Sequence, residues 1–77
     1  MESRIWTVVR FPAASWGGGG SPNDPDYSLC EVYLVPAEGL KKAMKKAQGI
    51  RARLIKKGSE PPSQASPYRA KAARDAG

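Results

Sequence analysis

The chain has 77 residues, with 13 Lys and Arg against 7 Asp and Glu for a formal net charge of +6, one cysteine and no histidine. A chain this short allows one domain with a thin core. The lone Cys30 excludes an intramolecular disulfide, and without histidine the familiar zinc sites and imidazole acid–base chemistry are out of reach. No apolar run approaches the roughly 20 residues that span a bilayer, and "MESRIWTVVRFP" is too short and too charged for a secretory signal, so a cytoplasmic protein without a membrane partner is expected.

The charge is unevenly divided. Residues 1–35 hold four acidic side chains against two basic ones, a net of −2, while residues 36–77 hold eleven basic against three acidic, a net of +8. Any electrostatic role therefore belongs to the second half.

The first element, "RIWTVVRF" from Arg4 to Phe11, is rich in β-branched and aromatic residues and stops at Pro12, which predicts a strand. "SWGGGGSPNDPDYS" follows, within a Gly-rich loop over residues 12–26. It lacks the lysine and the following helix of a phosphate-binding loop, and Asp24 and Asp26 would repel an anion. "GGGGS" also matches an engineered linker. The expectation is a mobile loop that carries Trp16 as a contact residue or a lid. Asp24 and Asp26 are expected to form turns through side-chain to backbone hydrogen bonds.

"YSLCEVYLV" from Tyr27 to Val35 predicts a second strand ending at Pro36. Alternation is expected to put Ile5, Val9 and Phe11 on one face with Cys30, Val32 and Leu34, where Cys30 acts as a small buried hydrophobe. Arg4, Trp6, Val8 and Arg10 then point the other way with Leu29, Glu31, Tyr33 and Val35. Trp, Tyr and Arg dominate binding hot spots, so that outer face predicts a protein interface or a homodimer contact, and base stacking is the alternative.

After Pro36 the apolar period lengthens. Leu40, Ala43, Met44, Ala47, Ile50 and Leu54 recur at spacings of three and four, predicting an amphipathic helix from about Ala37 to Lys57, capped by Gly58. At about 100° per residue, Lys41, Lys42, Lys45, Lys46, Arg53, Lys56 and Lys57 share the opposite face as a cationic ridge suited to DNA or RNA phosphates. Arg51 falls near the middle of the apolar stripe, where an unpaired charge would be costly. A bend at Gly49 or an overhanging helix end is the expected way out, with Arg51 on a partner-binding surface. "SEPPSQASPYRAKAARDAG" after Gly58 reads as a flexible, disordered tail in which "YRAKAARDA" is at most a nascent helix.

The expected fold is therefore α+β, a two-stranded antiparallel hairpin with one amphipathic helix packed on one face, a β-β-α domain over residues 1–58 followed by the tail. No catalytic set, metal cluster or cofactor motif stands out, and a non-enzymatic protein without a cofactor is expected. In size and architecture over residues 4–58, two strands, a basic helix and unpaired aromatics, the chain resembles the small phage and mobile-element inhibitors, of which the anti-CRISPR proteins of type I systems are the nearest group. That resemblance implies a stoichiometric inhibitor that binds a multisubunit CRISPR effector complex and blocks target DNA engagement, and it assigns no individual residue.

Overall fold

A computed structural model describes residues 3–70. The chain forms β1 (Arg4–Arg10), β2 (Trp16–Gly18), a single 3-10 turn at Pro25–Tyr27, β3 (Glu31–Ala37), α1 (Leu40–Lys56) and β4 (Tyr68–Arg69). The α+β class stands, but the sheet has four strands in the order β2-β1-β3-β4, not the two of a simple hairpin. β1 pairs antiparallel with β2 and β3, and β4 pairs parallel with β3. A parallel neighbour requires a crossover, and α1 is that crossover. The segment after Gly58, expected as a tail, thus supplies the fourth strand. Of "YRAKAARDA", Tyr68 and Arg69 are strand and residues 71–77 lie outside the described residues.

The expected assignment of faces is inverted. Val8, Tyr33, Val35 and Ala37 form one cluster with Ala43, Ala47 and Ile50 of α1, joined by Trp6, Trp16 and Leu40. Val9, Cys30 and Val32 form a second cluster on the other side of the sheet with Tyr27 and Phe11. The segment before β3 thus covers the face expected to take the helix. Both faces of the sheet are buried, and strands buried on both sides read as unbroken apolar runs instead of alternating ones, as "VYLV" does. Volumes match across this interface. The helix presents Ala43 and Ala47 along its stripe, and these small residues leave room for the large Trp6, Tyr33 and Trp16 side chains.

The first two glycines of the run, expected in a loop, lie in a strand. β2 is antiparallel to β1, with Trp16 opposite Arg10 and Gly18 opposite Val8. The turn between them is closed by the Phe11 amide donating to the Ser15 carbonyl at 2.8 Å and the Ala14 amide to the Phe11 carbonyl at 2.8 Å. A Cβ at Gly18, where φ is +143°, would fall on the Thr7 carbonyl oxygen, and one at Gly17 would stand 3.0 Å from the Phe11 ring. Bare backbone lets β2 lie against β1 there. Trp16 is consequently half-buried on the helix side, its ring centroid 5.7 Å from that of Tyr33. Asp24 takes the expected turn role, accepting the Asp26 amide at 2.9 Å.

β3 runs through Pro36 and the helix begins later than expected, at Leu40 after Gly39. Proline is tolerated because β4 reaches only Tyr33 and Leu34, so position 36 lies at the sheet's edge where no ladder bond is required of it. Gly58 ends the helix as expected, at φ +76°, with its amide donating to the Ile55 carbonyl and the Ser59 amide to the Leu54 carbonyl. The chain then returns to the sheet, tethered by the Gln64 side-chain amide, which donates to the Pro22 carbonyl at 3.1 Å and the Asp24 carbonyl at 2.6 Å.

Two glycines give opposite expectations. Gly18→Ala forces a side chain onto the β1 backbone and should cost about 1–3 kcal/mol. Gly49→Ala, in the helix interior with nothing within 4 Å of the added carbon, should gain roughly 0.8–1 kcal/mol. Urea unfolding followed by circular dichroism checks both signs.

Candidate nucleic-acid interface

One polar cluster fixes how the helix sits on the sheet. Glu31 opens β3 on the helix side. Its carboxylate accepts the Tyr33 hydroxyl at 2.6 Å and the Arg51 Nε at 2.9 Å, and Arg10 approaches it at 3.8 Å. Arg51 therefore neither bends the helix nor overhangs the sheet. It lies at the border of the apolar stripe because Glu31 is beneath it, and the register that pairs Glu31 with Arg10 brings in the second cation. Both arginines were expected to face a partner, and both are half-buried in this internal network.

The other residues expected at a protein interface are placed as follows. Tyr33 is fully buried under the helix. Trp6 is half-buried, donating its indole N–H to the Ala37 carbonyl at 3.1 Å, and the exposed Arg4 guanidinium stands 4.9 Å from the Trp6 ring centroid. Trp16 packs in β2. The aromatic face expected to meet a partner is the core under α1, and the large exposed apolar residues among those described are scattered, Ile5 in β1, Leu29 in the connection before β3 and Ile55 in α1.

The basic ridge is at the surface. Lys41, Lys42, Lys45, Lys46, Arg53, Lys56 and Lys57 are all exposed. Among the described residues Lys42 is the one member of the ridge in an ion pair, with Glu38 at 2.7 Å, and its hydrogen bond holds the Glu38 carboxyl below its ordinary value. Lys46 Nζ donates to the Pro36 carbonyl at 3.1 Å.

Between the ridge and the β3–β4 edge lies an open groove of about 830 Å³. Lys45, Lys46, Gly49 and Arg53 form one wall. Val35, Pro36 and Ile50 contribute apolar surface, and Tyr68, Arg69 and Ala70 form the far side. Among the described residues four basic ones and no acidic one line it. Arg69 and Tyr68 are the site residues that sequence reasoning missed. The available signal was an aromatic next to an arginine after Pro67, in a segment that a β-α-β crossover would have returned to the sheet.

Among the described residues no group of Cys, Asp or Glu is placed to hold a metal ion, and no helix is long and apolar enough to cross a membrane. Cys30 is buried, and burial pushes its thiol up from the ordinary value. No family model, curated protein or solved structure matches this chain.

The Glu31 cluster makes two expectations. Glu31→Ala leaves Arg51 and Arg10 facing each other without an anion and should cost about 1–3 kcal/mol, reduced from the value for a wholly buried pair because all three side chains retain some exposure. Glu31→Gln should cost less, since its carbonyl still accepts. Desolvation, then the hydrogen bond to Glu31, raises the Tyr33 hydroxyl above its ordinary 10.0. The folded state thus holds this proton more tightly than the unfolded state. The stability linked to it is full below pH 10 and falls as the pH rises above that value. Absorbance titration of folded wild type against Tyr33→Phe should show one tyrosine that does not ionise in the ordinary range.

Proposed function

We propose that this protein is a non-enzymatic binding module that engages nucleic acid through the exposed face of α1. The observation that carries the reading is the ridge itself, six exposed cations of α1 and Lys57 at its C-cap with a single ion pair among them in the described residues, continuous with a groove lined by four basic residues. An isolated solvated helix usually balances such charges with glutamates at i±4, since like charges at that spacing oppose each other. Among the described residues only Glu38 offers that balance. The reading is preferred to that of an inhibitor docking on a protein complex through Trp6, Trp16 and Tyr33, because those side chains are engaged in packing the sheet against the helix.

Phosphate contacts release counterions, so affinity must fall with salt. With four or five phosphates engaged, a plot of log affinity against log salt should have a slope of about −3 to −4.5. The Lys45→Glu, Arg53→Glu double variant should weaken binding at least tenfold while leaving the melting temperature within a few degrees, since both residues are exposed. Fluorescence anisotropy with labelled DNA and RNA measures both. No binding of either at low salt sinks the proposal.

A further inference from the structure

The groove is more specialised than the ridge, and from it we infer a single-stranded nucleic-acid site in which an unpaired base lies on Tyr68 while neighbouring phosphates meet Lys45, Lys46, Arg53 and Arg69. The inference rests on the nucleic-acid reading and narrows it to one form of ligand.

The chemistry of the lining comes first. Four basic residues border the recess together with the apolar and aromatic Val35, Ile50 and Tyr68, and its volume is within the size range of small-ligand sites. That pairing matches a nucleotide, with a charged backbone on one side and a π-face on the other. Tyr68 is braced for stacking. Its ring centroid is 6.3 Å from that of Tyr33, whose far neighbour Trp16 is 5.7 Å away, so an aromatic row crosses the sheet and ends in the groove. Lys46 is held at the rim by the Pro36 carbonyl, and two of its three ammonium protons remain for a phosphate.

Gly49 gives an independent indication. Glycine inside a helix is unfavourable relative to alanine, so its presence calls for a reason. Its φ is not in the left-handed region and nothing lies within 4 Å of where a Cβ would stand, so neither backbone conformation nor packing within the described chain supplies one. It forms part of the groove wall, where a bare backbone permits close approach of a ligand.

The two alternative occupants fit less well. An extended peptide would be recognised by adding to the β3 edge, yet β4 already pairs with Tyr33 and Leu34 and the next edge positions include Pro36, which has no N–H to offer. A duplex keeps its base faces stacked within the helix and can present only phosphates, leaving Tyr68 unused.

The test compares labelled oligo-deoxythymidine and oligo-uridine, each of about twelve nucleotides, with a duplex of equal length at one salt concentration. Wild type should bind single strands at least tenfold tighter than duplex, and the DNA and RNA arms report whether the 2′-hydroxyl is sensed. Tyr68→Ala should lose about five- to tenfold in single-strand affinity, with Tyr68→Phe retaining it. Gly49→Leu should fill the groove and abolish the preference for single strands, with an unchanged or raised melting temperature because leucine favours the helix, so that a binding loss cannot be ascribed to unfolding. Lys41→Glu, outside the groove, should weaken single strand and duplex alike. Equal affinity for single strand and duplex, unaltered by Gly49→Leu, overturns the groove site and leaves nucleic-acid binding by the ridge standing. Failure to bind any of these probes overturns both. Displacement of the single strand by poly-glutamate of equal charge and at equal concentration overturns the inference in favour of an acidic peptide.

Discussion

The Glu31 carboxylate is the contact on which the arrangement of helix and sheet depends. It receives a hydroxyl from its own strand, a guanidinium from α1 and a second guanidinium from β1, so one side chain ties together three elements. Its position at the first residue of β3 fixes which end of the helix lies over which end of the sheet. A charge pair of this kind adds little net stability compared with an apolar contact of the same volume, but a wrong register leaves three polar groups unpaired. Its contribution is to discriminate among packings, which matters in a chain whose sheet carries apolar side chains on both faces.

Shape complementarity acts in the same direction. Ala43 and Ala47 allow the helix to descend onto Tyr33 and the two tryptophans, and the polar ends of Trp6 and Tyr33 are satisfied at the margins of that interface. On the opposite face the Tyr27 turn and Phe11 meet edge to face with ring centroids 6.3 Å apart, closing a second and smaller cluster around Cys30. The long connection between β1 and β3 is thereby accounted for. It contributes an edge strand first and a cover for the sheet second, and Gln64 joins that cover to the segment returning from the helix.

Local chemistry was legible from the sequence where a residue's own conformational preference decided the outcome. The two long strands, the helix, the Gly58 stop and the Asp24 turn all belong to that class. What could not be read were choices made by contact. The face of the strands turned to the helix depends on matching alanines to aromatics that lie far apart in the chain, and Arg51 makes sense only beside Glu31. The glycine run carries no apolar period, so nothing local marks it as a strand. Its pairing follows from the approach of one backbone to another. β4 is two residues long, too short for any periodic signal. The cationic ridge was legible because helix, exposure and charge all follow from the pattern, whereas the groove was not, since its far side, Tyr68 to Ala70, arrives with β4.

The internal network also determines what the surface can do. Arg10 and Arg51 are the basic residues drawn inward, and Glu31, the acidic residue of β3, is consumed in pairing with them. Asp24 likewise spends its carboxylate on a local turn. Among the described residues, lysines on the outer side of α1 have no ion-pair partner apart from Glu38. A sheet that neutralised the ridge from below would need carboxylates along the β4 edge, and that edge instead supplies Arg69. The fold concentrates positive charge at one border of the molecule, beside the one aromatic that the crossover delivers there, and this shared placement of Tyr68 with the cations gives the groove a chemistry that neither α1 nor the sheet has alone.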